Sequence, residues 1–436
     1  MSSYVRRKTP GNTDWFVDSR FGMFIHWGLY SMPARHEWVK SLEQLTTEQY
    51  SKYFKYFNPD MYDAKEWAKR AKAAGMKYAV MTTRHHEGFS MFDTQYSDYK
   101  CTNTPAGRDL IKEYVEAFRA EGLKVGFYYS LLDWYHEDYT LDHCHPQRNI
   151  EDGDAFNKGR DMHKYAEFMR NQVRELLTNY GKIDILWFDF SVNSSPDYRP
   201  CWQAKGAAEW EAEELIKLAR SLQPDIIIDN RTQIEQDIWT PEQYQPLEWV
   251  RHQETGELVT WEACQTFSGS WGYHRDESTW KSPEMLIQML INTVCIGGNL
   301  LMNVGPTSRG YFDERANVAL DVYAKWMKFN SRSIYGCTMA EPEFVAPRGC
   351  RLTQSMDGKR LYIHLMEYPY QFLELPGFAG KVDYAQFLHD GSEIRMREGK
   401  TGHFSEGQTE DETKLVLCLP PVKPNMIVPV IELFLK

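Results

Sequence analysis

Runs of apolar residues that stop abruptly on a polar group recur along this chain. Ile183–Asp189 is apolar at every position but Asp184 until it reaches the Asp189 carboxylate. Such a run reads as a strand buried on both faces. A charge at its end must be solvated, paired or used, because an isolated buried carboxylate is costly. Phe21–His26 stops on an imidazole, and Lys77–His86 stops on two. Lys124–Tyr129 ends on the phenols Tyr128 and Tyr129, Asp225–Arg231 on a guanidinium, Val259–Glu262 on a carboxylate and Gly298–Asn303 on an amide. Core strands that all finish on polar groups predict one face where the ends converge. That face is the C-terminal rim of a parallel barrel, where active sites of that fold sit.

Helical patterns lie between these runs. Asp63-Ala-Lys-Glu66 resembles a capping box and opens a helix with Ala64, Trp67, Ala68 and Ala71 on one face, stopping near Gly75. Leu110, Ile111, Tyr114, Val115 and Phe118 mark a second, ended by Gly122. Further helices are expected from about Asp161 to Tyr180, from about Ala207 to Leu222, and after the N-cap and first-turn proline of Ser282-Pro283-Glu284. Alternation over about 330 residues means parallel βα units. No G-x-G-x-x-G follows an early strand, as a dinucleotide fold would need, and polar ends come from six or seven strands rather than one crevice. The expectation is an irregular (β/α)8-like TIM barrel.

After about Asn330 the texture changes. Arg351–Gln354, Leu361–Leu365, Phe372–Leu375, Lys381–Tyr384, Lys414–Leu419 and Met426–Phe434 are short strand candidates, several separated by Gly, Pro or Asp turns. They predict a C-terminal antiparallel β-sandwich. The expected division is a catalytic barrel over 1–335 and the β domain over 336–436, in keeping with 436 residues being more than one core usually fills.

Net charge is −11 with no basic stripe, which argues against nucleic acid and anionic membrane surfaces as partners. Met1–Lys8 has charges but no apolar segment behind them, and no stretch approaches the ~18 apolar residues that span a bilayer. The chain as given is expected to be cytoplasmic, with secretion after loss of a leader left open. The eight cysteines form no C-x-x-C pair. His143-Cys144-His145 lacks partner ligands at zinc-like spacing and reads as a surface loop, so no metal is expected.

The rim offers carboxylates, histidines, an arginine and rings. It offers no G-x-S-x-G, Walker or zincin motif. Rings and hydrogen-bonding histidines suit a polyol with one apolar face, and aromatic content is 14%. The chemistry two carboxylates perform on a sugar is glycosidic cleavage. In order along the chain, Phe21–Gly28, Glu37-Trp38, Arg84–Phe89, Gly126–Trp134, Leu186–Asp189, Thr240-Pro-Glu242, Trp261-Glu262, Ser270–Tyr273 and Gly298–Gly305 resemble the signature blocks of the retaining α-L-fucosidases, glycoside hydrolase family 29. The resemblance covers nearly the whole barrel. It implies an irregular (β/α) barrel with a C-terminal β-sandwich, a mechanism without cofactor, and a fucosylated glycan or glycoside as substrate.

It also implies roles. Asp189 matches the nucleophile. Glu242 is preferred as acid/base over its rival Glu262, with Glu235 and Glu248 as outsiders. His26, Glu37, Trp38, His85, His86, Tyr128, Trp187 and Arg231 match positions that line the sugar pocket, although Tyr129 competes with Tyr128, and Trp38 and Trp187 also suit a core. Two departures stand out: Phe190-Ser191 follows the nucleophile where many relatives have glycine, and Asn230-Arg-Thr232 replaces the commoner Asp-Arg-Trp. Two other readings stay open, an α-L-galactosidase and a catalytically silent carbohydrate-binding barrel. A homo-oligomer is compatible with the aromatic content.

Overall fold

The computed structural model describes residues 2–398 and 412–436. Seven parallel strands form one curled sheet: β1 (Phe21–Ile25), β2 (Tyr78–Arg84), β3 (Lys124–Ser130), β4 (Ile185–Asp189), β5 (Ile227–Ile228), β6 (Glu262–Thr266) and β7 (Asn299–Val304). Their spatial order is β5-β4-β3-β2-β1-β7-β6. The gap between β5 and β6 is bridged by an irregular extended segment, 237–243. It pairs in parallel with one neighbour through Asp229 and Ile238, and with the other through Trp239 and Trp261 and through Glu242 and Cys264. Backbone bonds run from Asp237 N–H to Ile228 C=O (2.9 Å), from Glu262 N–H to Trp239 C=O (2.9 Å) and from Gln243 N–H to Cys264 C=O (3.0 Å). The ring is thereby closed with an eighth, poorly formed strand that carries Pro241, a residue unable to donate to a ladder.

Strand alternation divides the core. Phe24, Tyr78, Val80, Tyr128, Ile185, Trp187, Ile227, Ile238, Cys264 and Leu301 fill the barrel interior. Their sequence neighbours Met23, Ile25, Phe127, Tyr129, Leu186 and Phe188 pack outward against helices that include Ala64–Ala73, Leu110–Ala120 and Met162–Asn179. The helix expected from Ala207 begins only at Ala212, because Glu211 before it is in the left-handed conformation (φ 48°). No helix lies between Leu222 and Pro283.

One strand ends elsewhere than its apolar pattern predicts. Val259–Glu262 does not finish on Glu262. That residue opens β6, in register with Asn299 at the start of β7, and the strand runs on to Thr266. Glu262 therefore sits at the floor of the barrel, fully buried, and accepts a hydrogen bond from the Tyr78 hydroxyl. Burial pushes its carboxyl up to about 8, against the pull of Tyr78. A neutral, hydrogen-bonded acid does not terminate a buried strand as a charge would. Room for the Tyr78 ring comes from Gly22, where a Cβ would lie 2.3 Å from it.

Beyond the helix Glu314–Asn330, β8 (Cys337–Met339), β9 (Cys350–Ser355), β10 (Arg360–Leu365), β11 (Phe372–Leu375), β12 (Val382–Phe387), β13 (Arg395–Glu398), β14 (Leu415–Cys418) and β15 (Val430–Leu435) form two antiparallel sheets. The orders are β12-β15-β10-β9-β8 and β11-β14-β13. Leu361, Ile363 and Leu433 of one sheet share a separate apolar core with Leu373, Leu415 and Leu417 of the other, as in a sandwich.

The fold favours protonated Glu262, since its carboxyl titrates near 8 in the folded chain against 4.5 for an unperturbed glutamate. That contribution is complete below pH about 4.5 and is lost as pH rises through about 8. Glu262→Gln is already neutral, so the melting temperature of the parent should fall relative to that of the variant between pH 5 and pH 9. Parallel curves would contradict the assignment.

Candidate active site

The C-terminal ends of the strands surround a cavity lined by Phe24, His26, Glu37, Trp38, His85, His86, Trp187, Asp189, Phe190, Glu242, Cys264 and Trp271. Asp189 ends β4 in register with Ser130, its side chain 13% exposed. The Tyr128 hydroxyl donates to Asp189 Oδ2 at 2.7 Å. Tyr129, one residue on, points outward and donates to Gln172 Oε1 at 2.8 Å. Alternation therefore assigns the pocket to Tyr128.

Arg231 joins the two carboxylates. Its Nη1 donates to Asp189 Oδ1 at 3.0 Å and to Glu242 Oε2 at 2.7 Å. Two oxygens on one nitrogen can be no farther apart than those bonds laid end to end, which is compatible with the ~5–5.5 Å of a retaining pair. The guanidinium is fixed by further bonds from Nε to Thr240 Oγ1 (3.1 Å) and from Nη2 to the Thr240 carbonyl (3.2 Å), and it lies 4.5 Å over the Trp187 ring. Burial pushes the Asp189 carboxyl above the ordinary aspartate range, while Arg231 and the Tyr128 hydrogen bond pull it back. The Glu242 side chain, 42% exposed, stands at the mouth of the cavity.

The histidines are set by different partners. Ser130 Oγ donates to the Leu132 carbonyl at 2.8 Å and so accepts from His86 Nδ1 at 2.7 Å. Asn303 donates through Nδ2 to the Trp271 carbonyl (2.6 Å), leaving Oδ1 to accept from His26 Nδ1 at 2.7 Å. Burial lowers the affinity of both imidazoles for a second proton well below the usual range, and the neighbouring His85 lowers it further. Each therefore turns a neutral Nε2 acceptor away from its fixed side. His86 Nε2 lies 3.8 Å from Asp189 Oδ2. Glu37 Oε2 accepts the Trp271 and Gly272 N–H groups at 3.1 and 2.8 Å, while Oε1 accepts no hydrogen bond from the protein.

All the expected pocket residues thus converge, with Tyr128 and Arg231 reaching Asp189 from the wall. Glu262 does not: at the barrel floor it lines no part of the cavity. Glu235 pairs at the surface with Arg7 and His252, and Glu248 is exposed. His143 contacts Cys144 and Tyr198, and Cys144 and His145 are buried where a surface loop was expected. Among the described residues no three His, Cys, Asp or Glu side chains form a group that could hold a metal ion.

Four lining residues lie outside the set expected from the sequence. Phe24 is predictable from it, lying two positions before His26 and so on the same face. Trp271 belongs to the Ser270–Tyr273 block. Cys264 was hidden by the misplaced end of β6. Phe190 has a positive φ of 76°, which a bulky residue rarely adopts. Its ring packs at 5.3 Å from Trp38 and 5.5 Å from His86, so backbone strain is held at the cavity wall by aromatic packing.

Replacing Arg231 by methionine should leave two carboxylates facing each other with no cation between them. The Asp189 carboxyl would rise further, moving the acid limb of the kcat/KM profile to higher pH. Activity at neutral pH should fall roughly 10²–10³-fold, the scale of breaking a buried pair. An unmoved limb would count against this coupling.

A family model described as α-L-fucosidase matches residues 2–332. The chain is 43% identical to the α-L-fucosidase isoenzyme 1 from Paenibacillus thiaminolyticus, with a TM-score of 0.89 over 97% of this chain and 98% of that one. It superposes with a TM-score of 0.81 and 26% identity on a trapped covalent intermediate of a glycoside hydrolase family 29 α-L-fucosidase from Bacteroides thetaiotaomicron in complex with 2-fluoro-fucosyl fluoride, covering 100% and 99% of the two chains. Human plasma α-L-fucosidase is 29% identical over 343 residues, 74% of this chain and 68% of that protein. The chain belongs to the α-L-fucosidase family.

Proposed function

We propose that Asp189 and Glu242 are the catalytic pair with which this α-L-fucosidase releases terminal α-L-fucose and retains anomeric configuration. The observation that carries the assignment is the shared arginine. Arg231 places a half-exposed carboxylate at the cavity mouth within one guanidinium of a carboxylate deep in it. In the first step Asp189 Oδ attacks the anomeric carbon as the glycosidic bond breaks, and Glu242, carrying a proton, delivers it to the departing oxygen. Ester formation removes the charge of Asp189 and with it one of the two claims on Arg231. The guanidinium then favours ionised Glu242, the state needed to draw a proton from the water that releases the sugar.

The remaining groups suit a deoxyhexose. The Nε2 atoms of His26 and His86 and the Oε1 of Glu37 are acceptors for ring hydroxyls. Phe24 lies 5.1 Å from Trp187 and 5.9 Å from Trp271, an apolar corner fitted to the C5 methyl. An added hydroxyl there would be buried without a partner, although such a corner rejects it only modestly. The expected preference for an aryl α-L-fucoside over the α-L-galactoside is about 10–100-fold in kcat/KM.

Asp189→Gly should lose about four orders of magnitude or more of turnover with an unchanged melting temperature. Near-normal hydrolysis would refute its role. Glu242→Gly should keep a far larger share of activity on a fucoside with an acidic phenol leaving group than on one with an alcohol, because only the latter needs protonation to depart. Equal losses on both would remove Glu242 as the acid.

A further inference from the structure

Behind the sugar pocket lies a carboxylate that the mechanism above does not use. Glu87 follows the His85-His86 pair and is 1% exposed, and neither of its oxygens accepts a hydrogen bond from the protein. An ionised carboxylate in that position is costly unless something nearby compensates it. Gly28 faces it so closely that a Cβ there would lie 2.8 Å from Glu87 Oε1. Around it stand Tyr30, Tyr50 and Tyr99, whose phenols burial raises and its field raises further, and Lys40, whose ammonium burial lowers to about 8 and Asp133 and Glu87 partly restore. Lys40 Nζ donates to the Trp134 carbonyl at 3.1 Å. The group that meets Glu87 directly is His85, whose Nδ1 is 3.5 Å from Glu87 Oε2. That nitrogen is also buried and without a hydrogen-bond partner.

The three pocket imidazoles are close, with ring centroids 4.0 Å apart for His85 and His86 and 5.6 Å apart for His26 and His85. Like charges at such spacing oppose one another, so a single extra proton is what the cluster accommodates. An amide oxygen backs His26 and a hydroxyl backs His86, while a carboxylate backs His85. His85 also faces Tyr30 and Tyr128 through ring contacts, and its positive form would favour ionised Asp189.

We propose that Glu87 is a positioning residue for fucoside hydrolysis. It accepts the Nδ1 proton of His85 and makes that imidazole the doubly protonated member of the cluster. His85 then presents an Nε2–H donor to the sugar, beside the acceptors of His26 and His86. The inference rests on the proposed pocket, yet its first test does not require turnover. In ¹⁵N-histidine spectra of the unaltered protein at pH 6, one pocket imidazole, assigned by its loss in His85→Gln, should carry protons on both ring nitrogens. A singly protonated His85 would overturn the proposal even if the enzyme hydrolyses fucosides normally.

Variants supply the second test. Glu87→Gln keeps the size of the side chain and removes its charge, so His85, followed in ¹⁵N-histidine spectra, should lose its second proton roughly one pH unit lower than in the parent. Glu87→Asp should recover part of that shift. In a double-mutant cycle, Glu87→Gln made on top of His85→Gln should cost less than two-fold, because the carboxylate acts through the imidazole. Additive losses, or an unmoved His85 titration in Glu87→Gln, would show a structural role instead.

Discussion

The guanidinium of Arg231 governs the site because it is the cation held between two carboxylates that, in the proposed mechanism, alternate in charge. A buried Asp189 without it would be driven toward the neutral acid, which is no nucleophile. A Glu242 without it would lose its anchor at the mouth. Stacking on Trp187 and bonds to Thr240 immobilise the guanidinium, so the two oxygens are placed by one rigid planar group.

That arrangement requires the barrel to be irregular where it is. Arg231 leaves the sheet just after the two-residue strand β5, and Glu242 lies on the incomplete eighth strand, 237–243. A regular βα unit would insert a helix between them and carry the chain to the outer layer. Here the chain turns back within a few residues, so both side chains reach the same rim. Pro241 and the left-handed Gln243 (φ 55°) keep the segment from becoming a full strand.

The pocket also differentiates side chains of one type by what stands behind them. Three imidazoles meet an amide, a hydroxyl and a carboxylate. Two glutamates, at the barrel floor and at its mouth, meet a phenol and a guanidinium respectively. Environment sets the chemistry of each, which is how groups of one kind can serve as donor, acceptor, acid or structural polar contact in one fold.

Much of this was legible along the chain. Apolar runs ending on His26, His85-His86, Tyr128 and Asp189 marked four adjacent strands and the rim they share, because a strand buried on both faces has no other use for a terminal charge or ring. Period-two alternation even contained Phe24. The turn-rich segment after the last long helix gave the second domain by the same local logic. What local pattern could not supply was the end of β6, and with it the position of Glu262. A carboxylate reads as a strand terminus, and only the low-dielectric floor with the Tyr78 hydroxyl makes it a neutral interior residue. The choice of Tyr128 over Tyr129, the strained backbone at Phe190, and the pairing of Arg231 with two acids eleven and forty-two positions away also belong to the tertiary structure. They depend on which strands become neighbours and how far each is shifted against the next, and no property of a short stretch of sequence encodes distances across a closed ring.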